Sequence, residues 1–427
     1  MPLDGEAMAP FGLLGRTLGH SWSPQIHQSL GSCPYDLLEL EPEEVGPFVR
    51  EGSWRGLNVT IPYKVEAARL ADERSPRVEA CGAANTLVRR PDGSVFAENT
   101  DVLGFSWLLD RFCEEHLGGA ATKALAGEKA LVLGSGGASR AVILALEAAG
   151  ARPVVISRSG DDTYANLLDR HADASLVVNT TPVGMFPSCP ASPLADGVLG
   201  SLPHLRGVLD VVYNPERTGI CLQAERLGLP FQSGLSMLVA QAFYSSQLFQ
   251  GRELDKALLP HLEERIRNQT RNVVFIGMPG AGKTTAGKAL AHLLGRPFVD
   301  LDEALALDLD MPVETYIRQN GTDDFRGQET RVASRYCARS GLVIACGGGI
   351  VTRPENYPLL HQNGTIVLLE RPLGQLSLAG RPISQERGVR ELARERSEAY
   401  HSWSDIKIDC TGSPQGDAAR VRNILGL

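Results

Sequence analysis

Short apolar runs rich in Val, Ile and Leu recur along this chain, separated by longer stretches with helix-like spacing of apolar residues. The runs at 131–133, 154–156, 176–178, 273–276, 342–345 and 366–369 are continuously hydrophobic, and that at 208–212 is broken only by Asp210. Strands buried on both faces read this way, so the pattern predicts parallel sheets with helices packed over them. Before residue 110, further strand-like pieces occur at 11–14, 35–40, 56–61, 85–89 and 94–98. The fold class is therefore α/β. An amphipathic stretch at 254–266 runs into polar residues up to Arg271, and a fresh apolar run begins at Val273. This places a domain boundary there, with a linker over 266–271.

Length and charge narrow the picture. A chain of 427 residues exceeds one ordinary domain and implies two or three. No apolar run reaches the roughly 20 residues a membrane span needs. The N-terminus also lacks a charged-then-apolar signal pattern, so a cytoplasmic location without a membrane partner is expected. A net charge of −8 argues against nucleic acid as a partner. Residues 1–271 hold 24 basic and 32 acidic side chains, whereas 272–427 hold 18 of each, so the first part carries the whole excess. Eight cysteines are scattered without a CxxC pair or a His/Cys cluster at metal spacing, and read as reduced, mostly buried thiols.

The second part carries a phosphate-binding pattern. Gly277-Met278-Pro279-Gly280-Ala281-Gly282-Lys283-Thr284 fits GxxxxGK[ST], follows an apolar strand and precedes a helix-like segment beginning at Thr285. Glycines let backbone N–H groups wrap phosphates, and the helix N-terminus adds positive potential. Lys283 is placed to reach the β and γ phosphates of ATP or GTP, and the Thr284 hydroxyl to ligate Mg²⁺. Phe298-Val299-Asp300-Leu301-Asp302 sets two carboxylates on one face at the end of a strand-like run; one could serve Mg²⁺ while the other orients an acceptor hydroxyl. Phe325-Arg326-Gly327-Gln328-Glu329, Cys346-Gly347-Gly348-Gly349, Arg381-Pro382 and Arg396-Ser397-Glu398-Ala399-Tyr400 follow. Arginines from separate elements suit an anionic acceptor.

Over residues 272–427 this set resembles the shikimate kinase family. The resemblance implies that Asp302, Arg326, Gly348, Gly349 and Arg396 contact shikimate, with Asp302 on ring hydroxyls and both arginines on the carboxylate. Gly277, Gly280, Ala281, Gly282, Lys283, Thr284 and Thr285 would hold ATP, with Lys283 and Asp302 catalytic. Thr284 and Asp300 would serve Mg²⁺, and Arg381 would close over the phosphates from a lid. The stretch 370–380 leading into that lid is short and rich in Gly and Leu beside the family's usual helix. Which arginine there besides Arg381 touches nucleotide stays open: Arg371 is a candidate, with a solvent-exposed side chain the favoured reading.

In the first part, Leu133-Gly134-Ser135-Gly136-Gly137-Ala138-Ser139 follows a strand and opens a helix, matching GxGxxG/A except at Ser139. At the end of the next strand stands Ser157-Arg158-Ser159 instead of an acid, which suits the 2′-phosphate of NADP. Asp161 and Asp162 are read as loop surface. The chain has only seven lysines against 35 arginines, so Lys64, which closes Asn58-Val59-Thr60-Ile61-Pro62-Tyr63-Lys64, is a candidate proton donor. Beside Asp101 of Asn99-Thr100-Asp101 it could exchange a proton with an oxygen as hydride moves.

Residues 9–255 resemble the shikimate dehydrogenase family. The resemblance rests on His20-Ser21-Trp22-Ser23-Pro24, the NVTxPxK run, Gly82-Ala83-Ala84-Asn85-Thr86, Asn99-Thr100-Asp101 and the Gly-rich turn. Asn179-Thr180-Thr181-Pro182-Val183-Gly184-Met185, Asp210-Val211-Val212-Tyr213-Asn214-Pro215 and Gly234-Leu235-Ser236-Met237-Leu238-Val239-Ala240-Gln241 complete it. It implies Ser21 and Ser23 on the substrate carboxylate, and Thr60, Asn85, Asp101 and Gln241 on hydroxyls, with Lys64 and Asp101 as catalytic pair. Gly134, Gly136, Gly137, Ala138, Ser157, Arg158, Thr181, Met185, Tyr213, Gly234 and Met237 would line the NADP(H) site, Tyr213 also touching substrate. It further implies a substrate-binding domain at 1–105, completed by 235–265, around a Rossmann-like domain at 106–234, with a P-loop α/β/α domain at 272–427.

Together the resemblances imply reduction of 3-dehydroshikimate to shikimate, then phosphorylation by ATP with Mg²⁺. Two alternatives stay open: a quinate/shikimate dehydrogenase fused to a kinase for another polyol acid, or one half acting as a non-catalytic ligand sensor. Expected partners are small-molecule substrates, and a homo-oligomer is compatible with the reading.

Overall fold

The computed structural model describes residues 10–19, 21–376 and 388–427. His20 and Arg381 lie outside the described residues. Three sheets organise the chain. Strands β1 (Phe11–Gly15), β2 (Tyr35–Glu39), β3 (Gly56–Val59), β4 (Glu73–Arg74), β5 (Thr86–Arg89) and β6 (Val95–Glu98) form a six-stranded sheet in the order β2-β1-β3-β5-β6-β4. Its β3–β5 and β5–β6 pairings are antiparallel and the others parallel. The antiparallel turn follows from Pro91-Asp92-Gly93: Gly93 takes φ +89°, and the Asp92 carboxylate accepts the Ser94 N–H at 2.9 Å.

The second sheet holds β7 (Lys129–Leu133), β8 (Arg152–Ile156), β9 (Leu176–Asn179), β10 (Gly207–Asp210) and β11 (Phe231–Gln232), in the order β11-β10-β9-β7-β8. All its pairings are parallel, and the register aligns Leu133 with Asn179 and Asn179 with Asp210. The turns after β7, β9 and β10 therefore emerge along one sheet edge. Strand order reverses at β7, which is where open α/β sheets bind ligands.

The third sheet holds β12 (Asn272–Ile276), β13 (Phe298–Asp300), β14 (Val343–Ala345), β15 (Gly364–Glu370) and β16 (Ile406–Asp409), in the order β13-β14-β12-β15-β16, also all parallel. Central strands are apolar throughout, as sheets covered on both faces require: Val273 to Ile276 are fully buried.

Contacts divide the chain into two compact units: Met1–Pro182, Pro193–Tyr213 and Gln223–Arg265 in the first, and Val183–Ser192, Asn214–Leu222 and Ile266–Leu427 in the second. Two departures from the expected layout follow. Residues 183–192 and 214–222 join the second unit, where Arg217 N–H donates to Gln362 O at 2.8 Å and Glu216 pairs with Arg267 at 3.1 Å. The expected linker at 266–271 is helical up to its last residue, because the helix Leu258–Thr270 continues through it without a Gly or Pro to break it.

Candidate active sites

In the first unit, the cis Ile61-Pro62 turn ends β3's extension and starts the helix Lys64–Leu70, so Lys64 stands in its first turn. Asn99 caps the helix Thr100–Phe112 by accepting the Asp101 N–H at 3.2 Å, which fixes Asp101 in that helix's first turn. The two meet. Lys64 Nζ lies 2.7 Å from Asp101 Oδ2, and Asn85 Nδ2 donates to the other carboxylate oxygen at 2.9 Å.

Asn85 is itself locked. Its Oδ1 accepts the Thr100 N–H at 2.7 Å and the hydroxyls of Thr86 and Thr100 at 3.1 Å each. That leaves only the amide nitrogen to face Asp101, so the side-chain orientation follows from the network. Gln241, on the helix Leu235–Gln250, reaches this group: Asn85 Nδ2 lies 3.5 Å from its Oε1. It can do so because Gly104 lets the two helices touch; a Cβ there would stand 2.7 Å from Met237 O and 3.0 Å from the Gln241 backbone N. Ser21 Oγ accepts the Ser23 N–H at 3.2 Å, while Thr60 donates its backbone N–H to Leu14 O at 2.9 Å. Sequence reasoning gave Thr86, Thr100 and Gly104 no role; nothing in their residue types distinguishes them from ordinary core positions.

The turn after β7 forms a cradle. Gly134 has φ +103°, and a Cβ on it would stand 2.8 Å from the Thr181 methyl. Gly136 caps the helix Gly137–Ala148, and Ser139 fits the third glycine position by donating its hydroxyl back to Gly136 O at 2.6 Å. Across the cradle, Asn179 Nδ2 bridges both oxygens of the fully buried Asp210 at 3.0 Å, and Asn179 Oδ1 accepts the Thr181 N–H and hydroxyl at 3.0 and 2.7 Å. This pair bolts β9 to β10 and aims Thr181, a task the motif alone did not reveal.

Ser157 bonds back to Ser159 O, and Arg158 is exposed beyond β8. Asp162 is engaged by His171 at 2.9 Å and Arg170 at 2.6 Å, which leaves Arg158 as the cation of that loop. Tyr213 is half-buried, and burial raises its phenol pKa. Gly234 caps the helix Leu235–Gln250, and Met237 is only 8% exposed, within the core of the second sheet. Met185, by contrast, is exposed and falls in the second unit.

In the second unit, the loop after β12 runs into the helix Lys283–Leu294. Gly277, Gly280 and Gly282 take φ of +139°, +85° and +104°, the left-handed conformations that let successive N–H groups face one centre. Lys283 Nζ donates to Gly277 O at 2.8 Å and Met278 O at 3.0 Å. Thr284 Oγ1 donates to Asp300 Oδ2 at 2.6 Å, setting two hard oxygens together as a Mg²⁺ site requires.

One expectation is corrected here. Asp300 and Asp302 do not share a strand face: β13 ends at Asp300, whose carboxylate caps the helix Leu301–Leu309 by accepting the Asp302 N–H at 3.0 Å. The cap preference of Asp turns the chain into a helix, and Asp302 projects from its first turn.

That turn aims Asp302 at the glycines after β14. A Cβ on Gly347 would overlap the Asp302 carboxylate, and one on Gly349 would overlap the Arg326 guanidinium. A Cβ on Gly348 would reach Pro279 of the phosphate loop at 2.5 Å, so the two Gly-rich loops are in contact. Arg396 Nη1 and Tyr400 Oη both donate to Gly348 O, at 2.9 and 2.5 Å. Arg326 pairs with Glu329, whose carboxyl pKa is raised by burial against the pull of Arg326. Burial likewise pushes the Tyr400 phenol up to about 12. Arg396 is 5% exposed, and its Nε has no hydrogen-bond partner among the described residues. A buried guanidinium with a donor left over can accept a carboxylate as partner. Arg371 is half-buried rather than exposed, against the phosphate loop.

Fold and sites define a class: a Rossmann-type oxidoreductase with a Lys–Asp pair, joined to a P-loop phosphotransferase with a receptor for an anionic acceptor. A family model described as shikimate dehydrogenase substrate binding domain matches residues 13–87, and one described as shikimate kinase matches residues 279–425. A shikimate dehydrogenase (NADP(+)) of Oleidesulfovibrio alaskensis is 36% identical, over 57% of this chain and 90% of its own length. A chorismate mutase/shikimate 5-dehydrogenase fusion protein from Clostridium acetobutylicum superposes with a TM-score of 0.53 at 31% identity, over 60% of this chain and 96% of its own. The shikimate 5-dehydrogenase of Thermus thermophilus, solved with NADP(H) and shikimate, gives 0.50 at 31% identity, over 60% and 98%. The chain belongs to the shikimate dehydrogenase family and carries a shikimate kinase domain after it, which makes it a bifunctional enzyme of the shikimate pathway.

Proposed function

We propose that the first unit reduces 3-dehydroshikimate to shikimate with NADPH, and that the second transfers the γ-phosphoryl group of ATP to shikimate. The observation that carries the reading is the Lys64–Asp101 contact at 2.7 Å, with Asn85 and Gln241 beside it. NADPH, when bound along the cradle of Gly134, Gly136, Gly137, Ala138 and Thr181, supplies the hydride. The cradle fits it: the glycine turn leaves room for pyrophosphate, the helix N-terminus attracts it, and Ser157 and Arg158 suit the 2′-phosphate. Tyr213, Gly234 and Met237 belong to the same proposed site.

Lys64 donates a proton to the carbonyl oxygen as that oxygen gains charge, and Asp101 holds the ammonium in place. Ser21 and Ser23 bind the carboxylate, and Thr60, Asn85 and Gln241 the hydroxyls.

In the kinase, Arg326 and Arg396 clamp the shikimate carboxylate beside Gly348 and Gly349, and Asp302 accepts the proton of the attacking hydroxyl. Lys283 stabilises the β and γ phosphates, within the loop of Gly277, Gly280, Ala281, Gly282 and Thr285. Thr284 and Asp300 would hold Mg²⁺, which neutralises phosphate charge when bound. Arg381, outside the described residues, belongs to the same proposed nucleotide site.

The domain layout proposed is 1–105 with 235–265 for the dehydrogenase substrate, 106–234 for NADP(H) and 272–427 for the kinase. All eight cysteines are free, which supports work in the reducing cytoplasm.

Paired substitutions test this. Lys64→Ala should lower the dehydrogenase rate by about 10² to 10⁴-fold while phosphorylation persists, and Lys283→Ala should do the reverse. Loss of both activities in either variant would count against two separate sites.

A further inference from the structure

The second unit sets a cation on its phosphate loop that the loop motif does not contain. β15 ends at Glu370, and the next side chain, Arg371, turns back over the loop. Its Nη2 lies 3.6 Å from where a Cβ on Gly282 would stand, and Thr285 Oγ1 lies at the same distance from that point. Arg371 thus occupies the Thr285 side of the loop, whereas Lys283 Nζ bonds the carbonyls of Gly277 and Met278.

The placement is electrostatically unfavourable by itself. The helix Lys283–Leu294 begins here with its positive end, and cations are destabilised at that end. Lys283 adds a second cation. The adjacent acid is taken: Glu370 binds Lys407 at 2.8 Å and His401 at 3.1 Å. Among the described residues no carboxylate forms an ion pair with Arg371. The Cys410 thiol lies nearby: burial raises its pKa and Arg371 pulls it back, while Cys410 Sγ donates to Ala281 O of the loop at 3.3 Å. Among the described residues the guanidinium thus stands without a paired carboxylate beside a surface built for anions. A cavity of about 720 Å³ opens next to it, lined by Met278, Leu368, Arg371, Pro372, Tyr400 and Cys410, which is room for a nucleoside attached to phosphates in the loop.

We propose that Arg371 is a further nucleotide-binding residue of the kinase, its guanidinium contacting α- and β-phosphate oxygens on the Thr285 side of the loop. This rests on the reading of the second unit as an ATP-dependent kinase. The contact sits away from the transferred group, so it acts on nucleotide affinity more than on the chemical step. Unlike a lid arginine, it stands at the end of a central strand and is in place before any closure.

The test uses full-length chains carrying Arg371→Ala and Arg371→Gln. ADP and adenosine dissociation constants are measured by calorimetry, alongside kinase KM values for ATP and shikimate. Both variants should weaken ADP binding and raise KM for ATP by about tenfold, with adenosine binding and KM for shikimate unchanged within about twofold. Arg371→Gln keeps a polar side chain without the charge, so an equal loss in both variants identifies the charge as the cause. Retained adenosine binding and an unchanged KM for shikimate report that the second unit is folded. ADP affinity within about twofold of the parent in either variant overturns the proposal, as does a parallel loss of ADP, adenosine and shikimate affinity. Absence of phosphorylation by the parent chain would defeat the kinase reading instead, while the ADP comparison would still decide the role of Arg371.

Discussion

Asp101 meets Lys64 through one oxygen and Asn85 through the other, and Asn85 is held by Thr86 and Thr100 on its far side. The reactive pair is therefore oriented by Asn85, which Thr86 and Thr100 hold in place, and the geometry exists before substrate arrives. Arg158 is the opposite case, an exposed side chain whose role depends on the charge of the ligand alone. Arg158→Ala should raise KM for NADPH about tenfold and leave KM for NADH nearly unchanged, so the ratio of the two in steady-state assays isolates the 2′-phosphate contact. A parallel rise in both constants would assign Arg158 to some other contact. Motif residues were legible in the sequence because their chemistry is uncommon at fixed spacing. The parts played by Thr86, Thr100 and Glu329 within those motifs were not, because they depend on which way a common side chain turns.

Elements matter most where two of them come close. The helices Thr100–Phe112 and Leu235–Gln250 touch at Gly104, and that contact delivers Gln241 to Asn85. Gly104→Ala should push them apart, costing about 1–3 kcal/mol and displacing Gln241. The dehydrogenase kcat/KM should then fall at least about tenfold while kinase activity holds; an unchanged kcat/KM would remove Gln241 from the substrate site. The same scale explains which elements the sequence reading found. Strands covered on both faces, such as β7, β12 and β15, announce themselves as apolar runs. β16 lies at the sheet edge with Lys407 and Asp409 exposed, and so lacks that signature. β4 and β11 are two residues each, too short for any periodicity. The polar residues 267–270 looked like a linker because an exposed helical turn and a loop share a composition.

At the scale of the whole molecule, two catalytic units share one chain, and their stabilities respond to different groups. His27 is fully buried in the first unit, stacked on Tyr35 at 4.2 Å and on Phe249 at 5.6 Å, with Nδ1 at 2.7 Å from Ser32 Oγ. Burial lowers its pKa to about 3. The folded unit thus keeps His27 neutral below pH 6.5 while the unfolded chain takes up a proton, and stability falls as pH drops from about 6.5 towards 3. At pH 5 that is about 2 kcal/mol. The urea midpoint for loss of dehydrogenase activity should drop between pH 7.5 and pH 5, and drop less in His27→Gln; equal slopes would mean the ring is not held neutral.

In the proposed function one chain performs two consecutive reactions. The most direct test incubates the purified chain with 3-dehydroshikimate, NADPH, ATP and Mg²⁺, and follows the products by mass spectrometry. The account predicts a gain of two hydrogens followed by a gain of one phosphoryl group, the second appearing only after the first. Phosphorylation of 3-dehydroshikimate before reduction, or no phosphorylated product after shikimate has accumulated, would contradict it.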